Sequence, residues 1–294
     1  MVPAEVPQTV EQRILEAAVR MPEGGMVTGW GALRLAGAAF FDGLAPGTCR
    51  SLPVPVLLPH TSRIRGPGVL VERTRGRLPG AVVRHGIPCV PTEAALLHEL
   101  RRARSERVAG VMVDMALAAR VVDLERLRDV ASWRRPSAVV AYALRRACAE
   151  CRSPKESEML QVWEGDLDLP RPQMNREVLD LSGRAIAVVD LLEVDSGTYG
   201  EYNGASHRSR ERQRRDEARA DALRRAGLEG FVLVAGDSER VWRERMQSAR
   251  ARARWLPEDR RRWRPGRFVP APPLPDADEA AFEAIMLEHH RSLE

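Results

Sequence analysis

The order of apolar patterns between Ser153 and about residue 254 constrains this chain most. Ser153 and Pro154 favour the start of a helix, and three stretches rich in β-forming residues follow over 173–204. An arginine-rich helix over about 208–226, a short apolar strand and a last helix complete the series. The resulting order, α-β-β-β-α-β-α, predicts an α/β domain in which helices flank a mixed sheet.

The first half of the chain has a different pattern. Helical periodicity at 10–22 and 28–37 precedes short β-rich runs over 50–90, which proline and glycine separate. Helices over about 92–104, 106–120, 123–132 and 136–151 follow. These patterns predict an α+β N-terminal part with a candidate winged helix.

The 294 residues suffice for two hydrophobic cores. We expect an N-terminal helical, winged-helix-like and small β-sheet region at 1–150 and the α/β domain at 151–256. A proline-rich linker and C-terminal tail are expected at 257–294.

Nothing in the sequence predicts a membrane span or a signal peptide. No run of 18 apolar residues occurs, and the N-terminus lacks a basic region followed by a continuous apolar stretch. We therefore expect a cytoplasmic protein without a membrane partner.

The four cysteines include one CxxC pair, Cys148 and Cys151. A zinc site would need two further ligands at suitable spacing, and a redox pair would be expected at a helix N-terminus. Because this pair falls at the end of a predicted helix, two incidental thiols are the favoured interpretation.

Positive charge is concentrated near the C-terminal end of the chain. Residues 208–267 contain 19 arginines and 10 acids, a local net charge of +9, so the remainder carries −4. A concentrated basic segment favours a polyanionic partner. The alternative is a solvated arginine-rich helix.

Three acids occupy positions that could form one site. Glu156 lies in the first turn of the helix that begins near Ser153, Asp190 follows the apolar run AIAVV, and Glu201 lies in the next strand. Asn203, two residues on, shares a strand face with Glu201. Clustered carboxylates favour a hard divalent cation such as Mg²⁺ or Mn²⁺, which activates phosphoryl groups and water. Alternatively, Asp190 caps a turn and Glu201 is a solvated strand residue.

The segment from Ser153 to about Asp237 resembles a family of domains related to the very-short-patch-repair endonuclease, within the PD-(D/E)xK restriction-endonuclease-like superfamily. The resemblance rests on SPKES at 153–157, VVDLL at 188–192, EYNGASH at 201–207, RRD at 214–216 and FVLV at 231–234. The stretch VTGWGALRLAG at 27–37 resembles an abortive-infection antitoxin-like winged-helix segment.

The resemblance implies a catalytic and metal-binding cluster of Glu156, Asp190 and Glu201. Position 203 carries Asp in these relatives and Lys in the wider superfamily, whereas this chain has Asn203. An amide adds no charge to a metal site. His207 would act as a general base or acid, although a histidine near a helix start can equally be a cap or a surface residue.

Five arginines after His207 would contact phosphates. These are Arg208, Arg210, Arg212, Arg214 and Arg215. The implied function is a metal-dependent endonuclease, or a nuclease-derived DNA-binding protein, that acts on DNA. The alternative is a non-catalytic regulator or protein-binding module with a degenerate nuclease fold and a protein partner in a toxin–antitoxin or defence system.

Overall fold

A computed structural model describes residues 8–45, 48–64, 66–75, 80–133, 135–204 and 210–271, with side chains from residue 214 onward in the last range. The described chain forms two compact units. The first unit ends at Ala147, and the second comprises Cys148–Ala271. The boundary therefore lies three residues before the expected one at 150/151.

The first unit contains six helices and five strands among its described residues. The helices are α1 (Val10–Val19), α2 (Gly29–Leu35), α3 (Thr92–Arg102), α4 (Glu106–Ala118), α5 (Leu124–Ser132) and α6 (Ala138–Arg146). The strands are β1 (Met26–Val27), β2 (Val54–Pro59), β3 (Val69–Thr74), β4 (Val82–Arg84) and β5 (Ile87–Cys89). They form a mixed sheet in the order β3-β2-β1-β5-β4.

The candidate winged helix is not found in the described part of this unit. A winged helix needs a recognition helix soon after its first two helices. Here α2 leads through described residues 36–45 and 48–53 to β2 without another helix. Instead, β1 pairs with β2 and β5 at the centre of the sheet. The motif at 27–37 thus lies in an α+β unit that is built around a sheet.

The second unit confirms the predicted α/β class and adds one strand. Its elements in chain order are α7 (Pro154–Gln161), a π-helical turn (Val162–Asp166), β6 (Gln173–Asp180), β7 (Ala185–Glu193), β8 (Thr198–Asn203), α8 (Arg210–Ala226), β9 (Glu229–Val234), α9 (Glu239–Arg252), a 3₁₀ turn (Glu258–Arg260) and β10 (Trp263–Phe268). The sheet order is β10-β6-β7-β8-β9. Among the described strands of this sheet, only β8 and β9 run parallel, because α8 crosses between them.

Helices cover both faces of this sheet. Leu223 of α8 packs in a buried cluster with Tyr199 of β8. Three residues further along the strand, Tyr202 lies against Trp242 of α9 with ring centroids 5.9 Å apart. Because strand side chains alternate, Tyr199 and Tyr202 point to opposite faces. The sheet is therefore a middle layer between α8 and α9.

Strand β10 lies within the expected linker and tail. It pairs antiparallel with β6 at the edge of the sheet, with Trp263 opposite Asp180. Its Pro265 lacks an N–H, and an edge strand tolerates this because one side makes no ladder hydrogen bonds. The proline therefore indicates an edge position here and does not mark a linker.

Close packing fixes β8 against β9. Phe231 lies beside Gly200 in the parallel register, and its ring stacks on the buried Trp163 with centroids 6.1 Å apart. A Cβ at Gly200 would overlap the Phe231 ring, so the strand pair depends on glycine at this position.

Gly200→Ala should therefore destabilise the second unit by about 1–3 kcal/mol through overpacking. Gly204→Ala is the matched control, because no atom lies within 4 Å of a Cβ built there. Urea unfolding of both variants measures the difference. Equal stabilities would contradict the packing that we describe for Phe231.

No helix in the described residues is both long enough and apolar enough to cross a membrane.

Candidate functional site

Asp190 and Glu201 face each other across the two central strands of the second unit. The antiparallel register ends with Leu191 opposite Gly200, and Asp190 and Glu201 are the next residues of β7 and β8 beyond this pair. Directly opposed residues of an antiparallel pair project from the same face of the sheet. At this step the Asp190 carboxylate accepts a hydrogen bond from the Tyr202 N–H at 2.9 Å. Side-chain alternation from the Leu191–Gly200 pair puts both carboxylates on one face of the sheet.

Both carboxylates are mostly shielded from water. The side chains of Asp190 and Glu201 are 21% and 13% exposed. Burial raises the pKa of Asp190, and the charge of nearby Glu156 raises it further. Burial also raises the pKa of Glu201 to about 7, against the lowering effect of Arg219 and with a further contribution from Asp190. Two acids that oppose each other's ionisation favour a shared cation.

Two arginines lie at this acid pair. Arg219 of α8 donates to the Glu201 carboxylate at 2.6 Å, and an Arg152 nitrogen lies 3.7 Å from an Asp190 oxygen. Neither arginine was among the predicted site residues. Helical periodicity could have found Arg219, since it precedes the buried Leu223 by one turn and so lies on the packed side of α8.

Glu156 lies near the pair but has structural partners of its own. Ser153 caps α7 by accepting from the Glu156 N–H, and its hydroxyl donates to the Glu156 carboxylate at 3.1 Å. The Arg152 N–H donates to the same carboxylate at 2.8 Å. These contacts resemble a capping box, except that the carboxylate accepts from the N–H of the residue before the N-cap. Glu156 is therefore held by the helix start, while its charge still acts on Asp190.

Asn175 supports Glu156 from β6 and was not predicted. It is fully buried with φ of 50°, a left-handed conformation that asparagine tolerates. Its amide donates to Glu156 at 2.6 Å and to the carbonyl of Glu150 at 2.8 Å. Asn175 thus fixes both the Glu156 carboxylate and the turn that precedes α7.

Of the other predicted site residues, only Asn203, Arg214 and Arg215 have described side chains. Asn203 is the last residue of β8, opposite Val234 in β9, and alternation puts it on the face of Glu201. Arg214 and Arg215 of α8 are exposed. His207 and Arg208, and the side chains of Arg210 and Arg212, lie outside the described residues.

The described residues contain no group of three or more His, Cys, Asp and Glu side chains arranged to bind a metal ion. The Glu156 carboxylate accepts hydrogen bonds from Arg152, Ser153 and Asn175. Asp190 and Glu201 alone still match a common arrangement for Mg²⁺, which takes one or two carboxylates and completes its shell with water and phosphate oxygens. Asp190 and Glu201 are therefore the two carboxylates of this site that could hold such an ion.

Comparison of the chain with protein-family models, curated proteins and solved structures found no match. The sequence resemblance and the geometry of the site are therefore the grounds for a functional assignment.

Proposed function

We propose that the second unit is a restriction-endonuclease-like domain that hydrolyses phosphodiester bonds in DNA with the help of Mg²⁺ or Mn²⁺. The observation that carries this proposal is the buried pair of Asp190 and Glu201 on adjacent strands. The α-β-β-β-α-β-α order and the parallel β8–β9 pair support it, because they bring these strands and α8 to one site.

Each residue at the pair would have a distinct role. Asp190 and Glu201 would hold the cation, which supplies Lewis acidity and lowers the pKa of an attacking water. Arg219 would contact the phosphate, since its guanidinium lies on Glu201 where a substrate oxygen would approach. His207 stays the predicted general base or acid, and Asn203 would hydrogen-bond water without adding charge.

The N-terminal part of α8 would bind the DNA backbone. Arg214 and Arg215 are exposed on the helix that also positions Arg219, and further arginines precede them in sequence. Contacts of this kind give affinity without sequence preference. The site and the basic segment would therefore act on the same DNA molecule.

Changing Arg210, Arg212 and Arg214 together to alanine should lower the slope of log affinity against log salt by up to about 2.7, since each phosphate contact contributes about 0.9. Arg224→Ala is the control, because this arginine of the same helix pairs with Asp221 at 2.5 Å. Fluorescence anisotropy with a short DNA duplex at graded salt concentrations measures the slope. An unchanged slope in the triple variant would indicate that these arginines make no phosphate contacts and that the segment is a solvated helix.

A non-catalytic DNA-binding regulator is the second candidate function. It is favoured by the Arg219–Glu201 ion pair, the capping contacts of Glu156 and the neutral side chain at Asn203. A protein partner in a toxin–antitoxin or defence system stays a prediction of the resemblance alone.

Nicking of supercoiled plasmid by the full chain, with Mg²⁺, Mn²⁺ or chelator, separates the two candidates. Cation-dependent nicking is expected for the nuclease. Salt-sensitive DNA binding without nicking in either cation would overturn it in favour of the regulator.

A further inference from the structure

Cys148 and Cys151 form a close pair of buried thiols in the second unit. The sequence placed them in a helix, but α6 ends at Arg146 and the two cysteines flank a turn before α7. The two cysteines occupy the first and fourth positions of this turn, which keeps their Cα atoms within about 7 Å of each other. Only 6% of Cys148 and 1% of Cys151 is exposed. The predicted helical position of the two cysteines, which favoured incidental thiols, is therefore wrong. The turn brings the two cysteines together.

The surroundings of Cys148 favour its thiolate. The Cys151 thiol lowers the pKa of Cys148 to about 6 against the opposing effect of burial, and the Glu150 backbone and Arg171 guanidinium add to the lowering. Cys89 in the first unit shows the contrast, because burial there raises the thiol pKa to about 12. The thiolate is the form that attacks a disulfide.

The turn between the cysteines is connected to the acid pair. The Glu150 carbonyl accepts from Asn175, whose amide also contacts Glu156. Arg152, next to Cys151, donates its N–H to Glu156 and directs its guanidinium toward Asp190. A change in the backbone of this turn would therefore shift these hydrogen bonds and the first residues of α7.

We propose that Cys148 and Cys151 are a redox-active dithiol that closes reversibly to a disulfide by exchange with low-molecular-weight disulfides such as glutathione disulfide. The Cys148 thiolate attacks one sulfur of the small disulfide, and one thiolate leaves. Cys151 then loses its proton and attacks the Cys148 sulfur of the mixed disulfide, which releases the second small thiol. Two protein thiols are oxidised to one disulfide, and one small disulfide is reduced to two thiols.

The pair is assayed in the full chain, equilibrated with glutathione buffers of graded oxidised fraction, quenched in acid and alkylated. Trypsin cleavage after Arg146 and Arg152 gives a peptide that carries both cysteines and neither Cys49 nor Cys89. Mass spectrometry should show loss of two hydrogens from this peptide, with more than half of it oxidised under conditions that leave Cys89 reduced. Dithiothreitol should reverse the change.

Cys151→Ser should trap glutathione on Cys148, because the second attacking thiol is missing. Cys148→Ser should not trap it on Cys151 to the same extent. The wild-type peptide decides the question even where a variant fails to fold. A dithiol that persists in the most oxidising buffer, or a lasting glutathione adduct in the wild-type protein, would overturn the proposal.

Discussion

Replacing Asp190 by alanine should lower both the affinity for Mn²⁺ and the rate of DNA cleavage by more than about 100-fold. Residues that merely orient metal ligands typically contribute about 10–100-fold, so a carboxylate that holds the ion should contribute more. In the variant, Glu201 remains with Arg219 beside it, and one acid paired with an arginine is a poor cation site. Titration calorimetry with Mn²⁺ measures binding, and plasmid nicking measures cleavage.

The variant should remain folded. Asp190 accepts one hydrogen bond from the Tyr202 N–H and lies at a longer distance from Arg152. Loss of that acceptor costs about 1–3 kcal/mol. Asp195→Asn is the matched control, since Asp195 is an exposed residue in the turn between β7 and β8 of the same hairpin. Equal losses in both variants would indicate that hairpin charge in general, and not a cation site, supports the activity.

Much of the second unit follows from local pattern. Strands β7 and β8 are predicted from short-range alternation, and the tight connection between them implies their pairing. That pairing brings Asp190 and Glu201 to the end of the same ladder, one residue beyond Leu191 and Gly200. The capping contacts of Glu156 were also readable, since Ser153 and Glu156 have the spacing of a capping box.

The remaining features depend on contacts between distant parts of the chain. Strand β10 pairs with a strand some eighty residues earlier, and its proline and glycine suggest a linker when considered alone. Gly266 is required there because a Cβ would come within 2.7 Å of Glu177 in β6. The position of Arg219 at Glu201 depends on how α8 packs, and the contact between the two thiols depends on where α6 ends. Local patterns specify none of these distances.

The second large effect concerns stability as a function of pH. Burial raises the pKa of Glu201 to about 7 from an ordinary value of 4.5, even though Arg219 lowers it. Between these two values the folded protein binds the proton more tightly than the unfolded chain does. The free energy of unfolding therefore decreases as the pH rises through this range. We therefore expect ionised Glu201 to destabilise the fold at neutral pH and above, despite its ion pair with Arg219.

Glu201→Gln removes this titration. We expect the variant to match the wild type at pH 5 and to be more stable at pH 8 by up to about 3 kcal/mol, which corresponds to the shift in pKa. Urea unfolding at both pH values measures the difference. The gain in stability would come with loss of cation binding. Such a trade-off is common where a residue of a functional site lowers the stability of the fold.

Glu193 is a second carboxylate of this hairpin that pairs with an arginine, and it serves as the comparison for Glu201. It lies on the same strand as Asp190 but is nearly inaccessible, and it accepts two hydrogen bonds from Arg250, each at 3.0 Å. Glu193→Gln breaks a buried charge pair and should cost about 3–5 kcal/mol at both pH values. If Glu201→Gln were also destabilising at pH 8, the Arg219–Glu201 contact would be a structural ion pair of the same kind. If Glu201→Gln raises the free energy of unfolding at pH 8 and Glu193→Gln lowers it, Glu201 is a carboxylate that serves cation binding and Glu193 is one that stabilises the fold.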